Sequence, residues 1–381
     1  MQIQVFNLDL DFLGICEEIN DIEWVREYYK GGRFTLNAKL NEHNLGLLKK
    51  DNILIKDNNF DEPMIIEYRE LSEGSNGDED FIITGNSLTT RILSSRVTES
   101  RQIEKNKIDV VMKNILKKQT ESPLRAFKGL SYSEDKDYFT EIIEHKSLYK
   151  SLDEEFETLS RLYDIGHKIS IDIENKLFVF DVYTMADISD SVLFSVDFDN
   201  LSNQRFTDST DNYKNVAIVC GQGDSDKDED DDETRDKVIL NNDLYAGFNR
   251  REVYIDARDI EKDTKKGKDK DGNEIDIPIA NGENAIKLLT ARGKERLIEH
   301  LPIESFEGDL VENNYRYKID FDLGNVVTVR NKKWGVEFTQ RITKIIENTD
   351  IYGTTIEVSF GVELPTVYDK LQQRMNRGMS I

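Results

Sequence analysis

The densest group of chemically active side chains in this sequence is an acidic run, "DSDKDEDDDETRD", at residues 224–236. It places nine carboxylates and two cations within thirteen residues, directly after the apolar stretch "NVAIVCGQG". Carboxylates at this density can ligate calcium, attract a basic partner, or keep a loop in water. The spacing of the acids decides between these explanations.

A calcium loop of the EF-hand type needs oxygen ligands at positions 1, 3 and 5, a glycine at position 6 and a bidentate glutamate at position 12. Asp224, Asp226 and Asp228 supply the first three ligands. Glu229 occupies the glycine position and Arg235 occupies the twelfth position. The match therefore fails at the two loop positions that tolerate substitution least.

A second acidic stretch, "DKDGNEIDIP" at residues 269–278, fits a tight hairpin turn better than a metal loop. We therefore predict no metal site. The acidic run is interpreted as a solvated hairpin tip, because like charges repel one another and bury little apolar surface. A docking arm for a basic partner and a calcium-dependent surface-binding protein remain alternatives.

No arrangement of residues indicates catalysis. The four histidines, His43, His145, His167 and His300, fall in unrelated segments without an HExxH or GxSxG motif, and we expect surface or boundary positions for them. A glycosidase needs only two carboxylates at the right separation, and none of the 75 acidic residues is singled out as such a pair. The sequence thus predicts no catalytic residue and no cofactor, with a carboxylate-based cell-wall hydrolase as the alternative.

Composition narrows the possible classes of protein. A net charge of -24 argues against sequence-specific nucleic-acid binding, which needs clustered cations to neutralise phosphates. No apolar run approaches the roughly 18 residues that cross a bilayer, and the start "MQIQVFNLDLDFLGI" alternates like a strand rather than an export signal. Cys16 and Cys220 lie in apolar stretches, which predicts buried thiols in a reducing compartment.

Periodicity predicts a mainly β chain with a few helices. Two strand-like runs flank the turn at Gly31 and Gly32, and "YRYKIDF" begins another series of strands near the end. Helical spacing appears in "KIDVVMKNILKKQ" from Lys107, in "SLDEEFETLSRLYDIG" with Gly166 as its stop signal, and across residues 283–302. A short amphipathic helix is predicted at the C-terminus.

A weak repeat links the two ends of the chain. "NILIKDNN", "MIIEYREL" and "DEDFIITG" near the start are echoed in the same order by "NVVTVRNK", "FTQRITKI" and "TTIEVSFG" near the end. The repeat favours two similar small β modules that flank a mixed middle. Chance similarity between two three-stranded meanders is the alternative.

The ordered series of segments carries a family resemblance. "IEWVREYYKGGRFTLNAKL", "DFIITGNSLTTRILSSRV", "GFNRREVYIDARDI" and "DLGNVVTVRNKKWGVEFTQRITKIIE" together resemble the tail-hub family of long-tailed bacteriophages over nearly the whole chain. The resemblance implies an α+β, mainly β fold. We expect a β-barrel hub module at 1–102, a helix-containing middle domain at 103–185, a mixed α/β domain with the acidic hairpin at 186–302, and a second barrel module with the C-terminal helix at 303–381.

The resemblance also implies a structural role. Three copies would form a hub ring at the virion tail tip, where six barrels match a sixfold tail tube. The implied partners are a distal tail or tail-tube protein, a tape-measure protein, and a separate spike or fibre protein. Longer relatives continue beyond the equivalent of residue 381 into a peptidase, lysozyme-like or fibre region, so we expect no lytic activity here.

Large apolar residues on the predicted barrel strands are candidates for contacts between subunits. They are Trp24, Tyr28, Phe34, Ile66, Trp334 and Phe338. The alternative for these side chains is the barrel core.

Overall fold

The computed structural model describes residues 1–73, 79–223, 235–268 and 273–361. Within these ranges the chain is mainly β with few helices, as the sequence predicts. Residues 224–234 of the acidic run and the predicted C-terminal helix lie outside the described residues. None of the helices in the described ranges is long and apolar enough to cross a bilayer.

The first strands are β1 (Ile3–Phe6), β2 (Phe12–Ile15), β3 (Ile19–Glu27), β4 (Arg33–Ala38), β5 (Ile53–Lys56), β6 (Met64–Glu73) and β7 (Glu79–Ser87). The next are β8 (Gln102–Lys107), β9 (Leu130–Tyr132), β10 (Ile142–Ser147), β11 (Gly166–Asp172), β12 (Leu177–Tyr183), β13 (Leu193–Ser195) and β14 (Leu201–Ser209). The remainder are β15 (Val216–Cys220), β16 (Lys237–Leu240), β17 (Glu252–Asp256), β18 (Asp263–Lys268), β19 (Glu274–Ile279), β20 (Ile303–Leu310), β21 (Val326–Asn331), β22 (Val336–Asp350) and β23 (Gly353–Gly361). The helices are α1 (Glu42–Leu47), α2 (Leu88–Ser94), α3 (Ile108–Thr120), α4 (Leu152–Tyr163) and α5 (Glu283–Ile298).

Two groups of five antiparallel strands share one spatial order. In unit 1, formed by β3 to β7, the order is β3-β4-β7-β6-β5. In unit 2, formed by β14 and β20 to β23, the order is β14-β20-β23-β22-β21. The three echoed sequence segments are the meander β5-β6-β7 and the meander β21-β22-β23. The predicted internal repeat is therefore confirmed as a repeated topology.

The two units share one sheet because β22 is long enough to serve both. Its first half pairs with β21 and its second half pairs antiparallel with β3, from Lys344 opposite Glu27 to Thr349 opposite Ile22. The resulting 13-stranded sheet runs from β14 at one end to β2 at the other. Its strand order among the described residues is open, which differs from the expectation of two separate closed barrels.

Each unit nevertheless has a core of its own. Alternation along β4 turns Phe34 and Leu36 to one face, where they join apolar side chains from β1, β3, β6 and β7. In unit 2, Phe306 and Phe360 belong to a separate cluster with side chains from β13, β21 and β22. Leu54 of the edge strand β5 belongs to the first cluster and Leu201 of the edge strand β14 to the second. Since strands at both edges of each unit contribute to one cluster, each sheet curves around its own core.

Two further segments complete the fold. Between unit 1 and β13, helices α2, α3 and α4 pack with the three-stranded sheet β11-β12-β9 and the pair β8-β10. Between β14 and β20, an insertion carries the sheet β16-β15-β17, the hairpin β18-β19 and α5. The pairing of β18 with β19 confirms the predicted hairpin at 269–278, although its turn lies outside the described residues. Strands β13 and β14, which the sequence groups with the middle of the chain, pair with β21 and β20.

One local prediction is confirmed in part and another is wrong. Helix α4 ends at Tyr163, before Gly166 as predicted, but Asp164 takes the left-handed conformation at φ 54° and Gly166 begins β11. "YRYKIDF" is not a strand in the described chain, since Lys318 has a φ of 65° and Asp320 closes a turn by accepting a bond from the Arg316 amide.

Candidate assembly interface

Two of the four histidines are buried, which corrects the expectation of surface or boundary positions. His145 lies between two carboxylates, with Nε2 2.7 Å from Glu155 and Nδ1 3.0 Å from Glu295. Burial alone would lower the pKa of His145, but the two carboxylates outweigh it and raise that pKa to about 9. The imidazolium therefore joins α4 to α5 as a structural ion pair, enclosed from solvent.

His167 is held neutral by its surroundings. Its ring packs against Phe156 and Phe180, and its Nδ1 lies 2.8 Å from the Ser160 hydroxyl. Burial lowers the pKa of His167 to about 4. Across the described ranges, no group of three or more potential metal ligands comes together.

Four of the six predicted interface residues lie in the interior of the chain. Trp24, Phe34 and Ile66 belong to the core of unit 1, and Tyr28 belongs to the core of unit 2. All four are at most 3% exposed. These four side chains therefore belong to the core, which was the alternative to a subunit contact, because they lie on the inward faces of their strands.

The other two predicted interface residues lie nearer the surface. Trp334, in the β21–β22 turn, is 45% exposed and touches Phe306 at a ring distance of 6.1 Å. Phe338 packs partly buried against the core of unit 2. A role in subunit contacts stays a prediction for this pair.

The junction between the units is built on a buried ionic network that sequence patterns do not single out. Arg26 on β3 forms ion pairs of 2.5 Å with Glu62 and with Asp322, and it also donates to the Tyr317 hydroxyl. Burial works against the charged guanidinium, but Glu62, Tyr317 and Asp322 outweigh it and raise the pKa of Arg26. The pairs connect unit 1 to the loop that precedes β21.

The second centre of the network is Glu347 on β22. Its carboxylate pairs with Lys56 of β5 at 2.6 Å and with Lys318 at 2.9 Å, and it accepts from the Tyr317 hydroxyl at 2.8 Å. Burial would raise the pKa of Glu347, yet Lys56 and Lys318 lower it to about 2. Both side chains of the Lys56–Glu347 pair are about 5% exposed, so the charge is sealed between the units.

Asp164, the C-cap of α4, ties a third part of the chain to the same junction. It accepts from Arg341 on β22 at 2.7 Å and from the Tyr29 hydroxyl at 2.7 Å. The helical segment and both units are thus held in one arrangement by charge-assisted hydrogen bonds.

Apolar side chains are exposed at two places on the sheet, the edge strand β2 and the tip of the β22–β23 hairpin. Phe12 and Leu13 on the edge strand β2 are 55% and 45% exposed. Ile351 and Tyr352, at the tip of the β22–β23 hairpin, are 78% and 91% exposed. These side chains are candidates for contacts with another protein.

A profile of the family described as "Siphovirus ReqiPepy6 Gp37-like protein" matches residues 2–362. The chain belongs to this family. The Gp37-like match confirms the resemblance to tail proteins of long-tailed phages that the segment order predicts. No match to the chain is found among curated proteins.

Solved structures share the fold of this Gp37-like chain. The 43 kDa tail protein of prophage MuSo2 from Shewanella oneidensis has a TM-score of 0.56 at 12% identity, over 95% of this chain and 98% of that one. The tail protein from Neisseria meningitidis MC58 has a TM-score of 0.55 at 10% identity, over 94% and 95%. Prophage tail protein gp18 from Listeria monocytogenes EGD-e has a TM-score of 0.53 at 10% identity, over 99% of each chain.

Proposed function

We propose that this chain is a structural component of a phage or prophage tail tip, in which three copies form a hub ring that caps the tail tube. The repeated five-stranded topology is the observation that carries the proposal. Two units of the same strand order in each chain give six units in a ring of three copies. A threefold protein then offers near-equivalent contacts to a sixfold tube.

The family match and the fold shared with tail proteins support a place for this chain in a phage or prophage tail. The ring would contact a distal tail or tail-tube protein on one side and a separate spike or fibre protein on the other, with the tape-measure protein ending nearby. The exposed apolar side chains on β2 and on the β22–β23 tip are suited to such contacts.

The mass of the purified protein tests the proposal. Light scattering coupled to size exclusion is expected to show a species of about three times the 44.1 kDa chain mass. Addition of the tail-tube protein from the same phage should produce a larger complex at a ratio of three hub chains to six tube chains. A strict 44.1 kDa monomer at the highest attainable concentration would contradict the ring.

A further inference from the structure

The two units correspond at several individual positions, as well as in strand order. In unit 1 the Ile66 amide donates to the carbonyl of Asn52 at 3.0 Å, and in unit 2 the Ile342 amide donates to the carbonyl of Asn325 at 2.8 Å. Directly after these positions both central strands carry a bulge, between Ile66 and Tyr68 in β6 and between Ile342 and Lys344 in β22. Positions on β6 therefore correspond to positions on β22.

The turn before each meander follows the same pattern. The amide of Asn52 donates to the carbonyl of Lys49 at 3.2 Å, and the amide of Asn325 donates to the carbonyl of Asp322 at 3.2 Å. Lys49 thus holds the position in unit 1 that Asp322 holds in unit 2.

The first strands of the units also correspond. Trp24 pairs with Phe34 across β3 and β4, and Phe206 pairs with Phe306 across β14 and β20. The rings are tilted in both pairs, with centroids 5.9 Å apart in the first and 6.4 Å in the second. Strand β14 is therefore the counterpart of β3.

In unit 2 a strand from the other unit pairs along the second half of β22, whereas the equivalent edge of β6 in unit 1 has no such partner among the described residues. The second half of β22 is covered by β3, and Tyr28 also donates to the carbonyl of Thr343. The corresponding stretch of β6, residues 68–73, pairs only with β7 among the described residues, and β14 pairs only with β20. Each copy thus presents one open strand edge that could receive a strand and one strand that could be donated.

We propose that β14 of one copy adds antiparallel to residues 68–73 of β6 in the next copy, in the register that β3 adopts on β22. This inference rests on the proposed ring of identical copies and specifies how they join. Trp24 lies opposite Glu347 within the chain, so Phe206 lies opposite Leu71 between copies. By the same correspondence Asp208 lies opposite Arg69.

Exposure and charge agree with this register. Tyr68 and Leu71 are 50% and 53% exposed, although their strand lies within the sheet. Within the chain, Arg26 forms an ion pair with Asp322. Between copies, Asp208 is the counterpart of Arg26 and Lys49 is the counterpart of Asp322, and both side chains are exposed. The ion pair between copies therefore has its anion and its cation in the opposite positions from the pair within the chain.

A shifted register loses this match. Moving β14 by one residue toward the end of β6 places Asp208 opposite Glu70, and it also turns every side chain to the other face of the sheet. The contact is heterologous, because the donated strand and the receiving edge are different surfaces. Every copy carries both, so successive additions close into a ring when the rotation permits.

Cysteine pairs test the register in the full-length chain. Glu70 and Thr207 correspond to Ile346 and Val25, a directly opposed pair. The double variant Glu70→Cys/Thr207→Cys is therefore expected to form disulfides between copies under mild oxidation, with dimers and trimers on denaturing gels. Native Cys16 and Cys220 are buried, and the parent chain that contains only these two cysteines gives the background level of cross-linking.

The matched control is Ser72→Cys/Ser209→Cys on the same strands. The proposed register separates these two positions by four residues, about 13 Å along the strand, which is too far for a disulfide. Cross-linking of the control pair but not of the Glu70/Thr207 pair overturns the register. A trimeric mass without cross-linking of the Glu70/Thr207 pair overturns the strand joint and leaves the ring standing, whereas a monomeric parent chain overturns both.

A second test introduces the residues of the Arg26–Asp322 contact at the equivalent positions of the proposed joint between copies. Asp208→Arg places a cation against Lys49 and Arg69, and it is expected to weaken trimer formation by about tenfold or more. Adding Lys49→Asp and Arg69→Ile copies the Arg26, Asp322 and Ile345 arrangement, so the triple variant should recover the trimer.

Asp211→Arg, an exposed acid beyond the end of β14, is the control for charge reversal and should leave the trimer unchanged. Circular dichroism and thermal melting verify that each variant is folded. Equal dissociation of the Asp208 and Asp211 variants, or no recovery in the triple variant, contradicts the proposed joint.

Discussion

At the scale of single residues, the buried His145 and the carboxylates beside it stabilise contacts within the chain. His145 has both ring nitrogens against carboxylates, and Lys150 and Arg292 add further cations around Glu295. A catalytic histidine needs access to a substrate proton, which this enclosed imidazolium lacks. The network instead fixes α4 and β10 to the insertion that carries α5.

The charge on His145 predicts how stability depends on pH. The pKa is about 9 in the folded chain and about 6.5 in an unfolded one, so the stabilisation is complete below pH 6.5 and is lost as the pH rises through 9. The loss is at most about 3 kcal/mol, because a difference of one in pKa corresponds to about 1.4 kcal/mol. Urea unfolding at pH 6 and at pH 9.5 measures it.

His145→Gln is the control for this prediction, since it removes the titrating group. Its free energy of unfolding should be lower at pH 6 and should change less between the two pH values. An unchanged pH dependence in this variant would assign the effect to other groups.

Residue patterns alone could not place these groups. The sequence identifies large aromatic side chains but not the face of the strand that carries them, so four of the six interface candidates proved to be core. Buried ion pairs such as Arg26–Asp322 join positions 296 residues apart, and only the folded sheet brings them together. A charged residue within an apolar strand, such as Arg26 in "EWVREYY", was the available signal.

At the scale of elements, the shared strand β22 holds the molecule together. Its first half completes unit 2 and its second half receives β3, with Glu347 buried at the centre of the contact. Separation of the units would expose six paired backbone positions as well as the ionic network.

Glu347→Ala tests the strength of this junction. Removal of the carboxylate leaves Lys56 and Lys318 without their anion, and an uncompensated buried charge costs about 3–5 kcal/mol. Chemical denaturation is expected to show a loss of this size. The double variant Lys56→Met/Glu347→Leu should be markedly more stable than Glu347→Ala, because it removes both charges.

The surface pair Lys39–Glu18 supplies the comparison, since both side chains are more than half exposed. Lys39→Ala should cost about 1 kcal/mol or less. A similar cost for Glu347→Ala and Lys39→Ala would show that the buried network contributes little.

Elements with strong periodicity were predictable, and short or locally capped ones were not. The sequence places α3, α5 and the meander β21-β22-β23 well, because their apolar spacing extends over many residues. It misses α2, which has seven residues and depends on the Ser87 side chain accepting from the Thr90 amide. It places the end of α4 before Gly166, as observed, but does not indicate that Asp164 takes the left-handed conformation there.

At the scale of the whole molecule, the units differ in what is attached to them. The link between β3 and β4 is the short turn at 28–32, whereas the equivalent link between β14 and β20 is the insertion at 210–302. Sequence repeats could reveal the meanders but not this equivalence, because 93 residues separate the paired strands of unit 2.

End-on electron-microscope images of the assembly should show this difference. In the proposed ring, the six units repeat about every 60°, whereas the three insertions repeat every 120°. The rotational power spectrum is expected to have its main sixfold component at the radius of the units and its main threefold component at the radius of the insertions. A dominant fourfold or fivefold component at either radius would contradict the ring.

The common register of β3 on β22 and of β14 on β6 has a consequence for ancestry. A ring in which every joint follows one rule requires only one kind of unit, so six identical single-unit chains could build it. Fusion of two such chains in tandem makes every second joint intramolecular and therefore independent of protein concentration. The fused halves are then free to diverge, and in this chain one hairpin carries the segment at 210–302 where its counterpart has the turn at 28–32.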